Sequence, residues 1–472
     1  MTIVRCVVTG LGLIALAACA TPEAPSRIAA SWSPAELLGP GRAPRVVGDA
    51  AGAALAAWLG SSLPDDVELI TRRYEPATGW SHPSVAASHL HSFDLAAAPG
   101  GDALLAWMES VDPGDDRSAQ VLVCRVPSDA WCTTPERVSR PESDPRSDSF
   151  APPALHVGAR GSAALAWVQH VDSRHRIWVA RAEPGAPFAT AELAAEVEGT
   201  AWTLSPAAIT AAAVDVAVDT EGTAFLAWRS FVPGSSRIHV CALARGQSSC
   251  TIETLAARPV AFRPPDPVAI AALPSGEAHV VWTHSSGLRG DRGEVWSARY
   301  VPNSGWQPAT EIGPDRALAP GESPAVSPRV AGLGNGDVVA LWQQWGESTQ
   351  GYDLWSARFV AGRGWQGARL VERATEEVHE PSLAISPLAR GGLASWFDTG
   401  SRAPRLWTRE FSEAGDWSEA QEVPRGLDQF LPSHPPQLAV DATGRALVVW
   451  GEDPGLPGQQ WVWFSRLTPA SR

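Results

Sequence analysis

Short apolar runs with alternating polarity recur along the chain, each opened by a glycine turn and closed by a tryptophan. Three clear copies are Gly101-Asp102-Ala103-Leu104-Leu105-Ala106-Trp107, Gly161-Ser162-Ala163-Ala164-Leu165-Ala166-Trp167 and Gly276-Glu277-Ala278-His279-Val280-Val281-Trp282. Alternation over such lengths between turn residues predicts β-strands, and no amphipathic helical stretch competes. The tryptophans fall at 58, 107, 167, 228, 282, 342, 396 and 450. That near-constant spacing suits a repeat of about four short strands.

Further motifs complete the unit. Val295-Trp296-Ser297-Ala298-Arg299-Tyr300 matches Leu354-Trp355-Ser356-Ala357-Arg358-Phe359, and Gly305-Trp306-Gln307-Pro308-Ala309-Thr310 matches Gly364-Trp365-Gln366-Gly367-Ala368-Arg369. One unit therefore reads strand A, glycine turn, strand B with its Trp, loop, strand C, tight turn, strand D. The last unit stops after strand C, at Trp461 to Leu467, while Ser31-Trp32-Ser33-Pro34-Ala35-Glu36-Leu37-Leu38 matches a strand D. Pairing the two ends closes a circle and hides both sheet edges. The expected fold is all-β: an eight-bladed β-propeller closed by the N-terminal strand on the C-terminal blade. It forms one domain over 31–472, with blades near 43–88, 91–142, 151–199, 209–259, 263–316, 322–376, 379–428 and 433–472 plus 31–38.

The repeat absorbs 19 of the 22 tryptophans, which are expected to pack between blades. Trp202, Trp345 and Trp461 lie off the pattern, and Trp345, just past strand B of unit six, is expected on a loop. Cys124 and Cys132 flank the strand C to D turn of unit two, and Cys241 and Cys250 flank the same turn of unit four. Two pairs at equivalent hairpin positions read as two local disulfides, permitted in an oxidising compartment. Metal binding is the alternative, and neither loop has nearby His partners.

Composition narrows the chemistry. All 37 basic residues are Arg, so Schiff-base chemistry and a lysine-bearing phosphate loop are excluded. A net charge of −14 argues against nucleic acid as a partner. The sequence has no HExxH, no zinc-spaced Cys/His set, no GxSxG elbow and no strand–GxGxxG–helix unit. No catalytic residue, cofactor or metal is assigned from it.

Arg5 and the apolar stretch from Leu11 to Ala18 are too short for a bilayer span and read as a signal peptide. The stretch ends Leu16-Ala17-Ala18-Cys19, which resembles the lipobox of bacterial lipoproteins. The resemblance implies cleavage before Cys19, lipidation of its thiol, a tether over 19–30 and a membrane partner through the lipid. The expected home is the cell envelope, an outer membrane facing the periplasm or the cell surface.

The D-to-A and B-to-C loops of such a ring share one face with the central channel. On it would lie His89, His91, Glu109, His170, Arg229, His284, Gln343, His379, Glu380, Asp398, His434 and Glu452. From these, His170, Arg229, His284 and Glu452, with Trp345, are the candidate ligand-binding residues. The repeat resembles sialidase-like β-propellers in architecture. The Asp-box of those proteins is not matched by Asp219-Thr220-Glu221-Gly222 or Asp441-Ala442-Thr443-Gly444. Arg73, Arg125, Arg181, Arg299, Arg358 and Arg466 recur in strand C register and read as structural. With no catalytic motif, the expected function is a non-catalytic envelope scaffold whose loops bind a protein or glycan. The alternative is a glycan-processing hydrolase of sialidase-like architecture.

Overall fold

The computed structural model describes residues 30–63, 66–112, 115–142, 144, 152–171, 174–198, 214–232, 235–259, 268–284, 293–315, 324–346, 349–373, 378–386, 391–399, 404–427, 430–432, 434–455 and 459–469. The signal, Cys19 and Trp202 lie outside them.

Eight antiparallel sheets follow one another along the chain. Strand A of each packs beside strand A of the next, from blade 1 (Arg42–Gly48) round to blade 8 (Gln437–Val440), which returns to blade 1. The protein is an eight-bladed β-propeller. Blade 8 takes its outer strand from the N-terminus: Ser31 opposes Thr468 and Trp32 opposes Leu467, and Glu36–Pro40 continues along the same partner.

The repeated tryptophans explain the packing. Every strand B Trp is at most 2% exposed. In five blades it faces a strand C Trp across the hairpin: Trp167 and Trp178, Trp282 and Trp296, Trp342 and Trp355, Trp396 and Trp407, Trp450 and Trp463. Cross-strand aromatic pairs on a buried face stabilise both the hairpin and the blade-to-blade contact. Ile70, Leu122 and His239 take the strand C place in blades 1, 2 and 4.

Polar side chains stitch neighbouring blades at two radii. On the outer rim, strand C arginines donate to carbonyls in the next blade's C–D turn. Arg73 reaches Pro127 and Ala130, Arg181 reaches Ala244 and Gln247, and Arg358 reaches Glu413. Near the axis, strand A side chains accept the N–H of the next strand A. Leu155 N–H donates to Asp94 (3.0 Å), Val218 N–H to His156 Nδ1 (3.0 Å) and Ile270 N–H to Asp215 (2.9 Å). His156 must be neutral to accept at Nδ1, and burial pulls its pKa down to about 4.

The disulfides Cys124–Cys132 and Cys241–Cys250 are formed, with Cα separations of 5.9 and 5.8 Å. Asp219 and Asp441 serve A–B turns instead of an Asp-box. One carboxylate oxygen of each accepts the N–H groups two and four residues on, ahead of Gly222 (φ 84°) and Gly444 (φ 86°).

His279 breaks the core pattern. Its register holds Leu55, Leu104, Ala164, Phe225, Val339, Leu393 and Leu447 in the other blades. It is fully buried beside Phe359, its ring 4.5 Å away, and neither ring nitrogen has a hydrogen-bond partner. Burial, aided by the Arg299 charge, pulls its pKa down to about 3. Two unpaired buried polar atoms cost stability, so His279→Leu should stabilise the fold by about 1–3 kcal/mol. The unfolded chain takes up a proton on this residue below about pH 6.5 and the folded one does not until about pH 3, so the wild type loses stability across that window as pH falls. The advantage of His279→Leu should therefore widen on acidification. Chemical denaturation at pH 7 and pH 5 checks both statements, and an equal or less stable variant contradicts them.

Candidate functional site

Four strand A residues bring charge to one level of the channel. The residue opposite the position just before each strand B Trp is Arg45, Asp94, Ala154, Asp215, Ala269, Arg329, Ser382 or Gln437, in blade order. Two carboxylates and two guanidiniums thus share one ring of innermost strands. Arg45 lies 3.8 Å from Asp94 and donates to Gln437 Oε1 at 3.3 Å.

Just above this level the backbone is bent. Strand A shifts register between Arg42 and Arg45 in blade 1, Val326 and Arg329 in blade 6, and His379 and Ser382 in blade 7. At each bulge a residue before proline adopts a left-handed conformation: Ala43 (φ 51°), Ser327 (φ 53°) and Glu380 (φ 50°). Non-glycine residues reach that region at a cost of about 1–3 kcal/mol, and bulges re-aim side chains. In blade 7 the bulge brings Glu380 to a cavity of about 410 Å³ at the channel mouth. Arg42, Arg45, His91, His434 and Gln437 line the same cavity. The opposite end of the channel has a cavity of about 570 Å³ bordered largely by small apolar residues such as Val47, Ala97, Val157 and Ala384. The channel is therefore charged at one mouth and mostly apolar at the other.

Burial sets the titration of the acids. It pushes the Glu380 carboxyl up to about 7, with the Arg329 charge opposing. Glu380 Oε2 is buried without a hydrogen-bond partner. Burial raises Asp215 to about 6, opposed by the N–H groups of Ile270 and Val216 and by Arg329, and reinforced by the charge of Asp94. Asp94 is also raised by burial, with Arg45 and two backbone N–H groups opposing. Burial, then Arg42 and Arg45, lowers His434 to about 4, so it is neutral near pH 7. Glu380, half-protonated at neutrality, and Asp215, mostly ionised there, form a pair of channel acids that can give and take protons. Among the described residues, no group of three or more His, Cys, Asp or Glu is placed to hold a metal ion.

None of the five candidate ligand-binding residues borders this cavity. Arg229 is buried and donates to Thr283 O (2.7 Å) and Ser236 Oγ (3.2 Å), tying blade 4 to blade 5. Glu452 is fully buried, accepting the Trp450 indole N–H (2.9 Å) and Gly426 N–H (3.0 Å). Trp345 is not on a loop. Strand B of blade 6 runs Val338–Gly346, and Trp345 meets Tyr352 edge-on at 5.3 Å. His284 ends strand B of blade 5, opposite Glu294. His170 opposes His175 in blade 3, and its side chain lies outside the described residues. The five sit on five different blades. The rim set did contain Glu380, His91 and His434. It missed Arg45, Asp94, Asp215 and Arg329, although Ala43-Pro44-Arg45-Val46 and Ser327-Pro328-Arg329-Val330 repeat visibly.

No family model matches the chain, and no curated protein sequence matches it. Solved structures do. An ulvan lyase of polysaccharide lyase family PL25 is similar at 12% identity and TM-score 0.46, covering 92% of this chain and 95% of its own. The polysaccharide lyase Uly1 is similar at 10% identity and TM-score 0.45, covering 88% of each chain. The α-L-arabinanase of Penicillium chrysogenum is similar at 15% identity and TM-score 0.39, covering 66% of this chain and 92% of its own. These likenesses are likenesses of fold. With the buried acid Glu380 lining the mouth cavity together with Arg42 and Arg45, the expected non-catalytic scaffold is withdrawn, and the glycan-processing alternative is taken up below.

Proposed function

We propose that this protein is a glycan-processing hydrolase working at the charged mouth of its channel. The observation that carries the reading is the placement of Glu380 with Arg42 and Arg45 on the charged mouth cavity, next to the channel level that holds Asp94, Asp215 and Arg329. Protonated Glu380 donates to the glycosidic oxygen as the bond to the anomeric carbon breaks. Ionised Asp215 accepts the proton of the incoming water, so the proton count closes. Arg329 lowers the pKa of both acids and so links them electrostatically. Arg45 holds Asp94 and Gln437 in place at the next blades.

The lipid anchor belongs to the same proposal. Leu16-Ala17-Ala18-Cys19 and two disulfides support an envelope protein tethered through Cys19. Labelled palmitate should enter the wild type and not Cys19→Ser; equal labelling contradicts the anchor. For the activity, the soluble Cys19→Ser form without its signal is incubated with a panel of acidic and neutral glycans. New sugar ends should accumulate catalytically on at least one of them. Release from none contradicts the proposed hydrolysis.

A further inference from the structure

Arg42 and Arg45 are three residues apart on one strand, a spacing that puts side chains on opposite faces of a regular strand. The bulge at Ala43–Pro44 shifts the register between them, and both border the mouth cavity. Their environments differ. Arg45 is engaged by Asp94 and Gln437. Arg42 is exposed, with no acidic partner among the described residues. The acid nearest in kind, Asp453, also borders the cavity, but its carboxylate is already occupied by Gly455 N–H (2.7 Å) and Gln460 Nε2 (2.8 Å). The blade 1 and 8 side of the mouth therefore presents an unpaired guanidinium, while Glu380 enters from blade 7.

We infer that this side of the mouth is a subsite for an anionic group of the glycan, a uronate carboxylate or a sulfate ester, held by Arg42 with Arg45 behind it. The inference rests on the glycan reading above and adds the charge class of the substrate. A guanidinium forks onto either anion with two parallel N–H donors, which an ammonium or amide cannot reproduce.

The test is calorimetric binding to the soluble form, with three probes: an oligouronide, a sulfated galactan oligosaccharide and a neutral arabino-oligosaccharide. At least one acidic probe should bind, and the neutral one should bind at least tenfold more weakly. Arg42→Gln should weaken the acidic probe about 10- to 100-fold and flatten its salt dependence, with Arg42→Lys in between. Which acidic probe binds distinguishes carboxylate from sulfate. Equal affinity for neutral and acidic probes, or no effect of Arg42→Gln, overturns the subsite. Binding that depends on Arg42 without release of any sugar upholds the subsite and sinks the hydrolase. Release from a neutral glycan, untouched by Arg42→Gln, does the reverse. Arg42 is exposed, so matched thermal unfolding of the variants verifies that folding is not the cause.

Discussion

A chain that begins at Gly41 instead of Ser31 should lose at least about 4 kcal/mol of stability, the sum expected for several orphaned donors and lost packing. The N-terminal segment touches three blades at once. Within blade 8 it pairs with the last strand, Ser465 donating to Ser33 O at 2.7 Å and Ser33 N–H to Arg466 O at 2.8 Å. Towards blade 7, the Trp32 indole N–H donates to Thr408 Oγ1 at 2.9 Å. Towards blade 1, Leu38 O accepts from Arg72 at 2.9 Å and Pro40 O from the Trp58 indole at 2.9 Å. Its removal strands those indole and guanidinium donors and leaves an open strand edge beside Trp463. A rescue separates closure from simple loss of chain. Ser31 opposes Thr468 in antiparallel pairing, so a short turn after Pro469 can carry residues 31–40 back into place. The deletion should unfold at lower denaturant than the wild type, and the permuted chain should recover. An undisturbed deletion, or a permutant as weak as the deletion, contradicts closure by this strand.

Glu380→Gln should reduce kcat on the responsive glycan by about 10²–10⁴-fold, the usual worth of a positioned acid. An amide keeps the size and cannot give up a proton at neutral pH. KM should change by only a few-fold, because Glu380 acts on the bond and Arg42 on the charge. Fold stability should hold or rise slightly near neutral pH. The Glu380 carboxyl has a raised folded pKa, so the stability it lends is present below about pH 4.5 and lost as pH rises through about 7. A variant of normal kcat removes Glu380 from the chemistry.

The ring could be read from the sequence because its signals are repeated and local. Eight tryptophans mark eight strand B positions, and the match of Ser31–Leu38 to a strand D marks the closure. The disulfide hairpins were legible for the same reason, since each pair flanks a tight turn. The site was only half legible. Glu380 stood in the rim set, indistinct from eleven other polar residues. What sets it apart is burial and a bulge, and neither has a one-residue signature. Arg45, Asp94, Asp215 and Arg329 were hidden inside strand A, where a polar residue first looks like an ordinary alternation. Their meaning depends on closure, which brings blades 1, 2, 4 and 6 around one axis. Arg229 and Glu452 misled for the opposite reason. Positions just after the strand B Trp look exposed in sequence, yet Glu452 caps the Trp450 indole and Arg229 crosses to blade 5.

The most direct measurement is the pH dependence of kcat/KM for new sugar ends released by the soluble wild type. With Asp215 held at about 6 and Glu380 at about 7, the expected profile is a narrow bell peaking between those values. The acidic limb reports protonation of the base and the alkaline limb loss of the acid's proton. A rate that stays level from about pH 5 to 9 would contradict catalysis by Glu380 and Asp215.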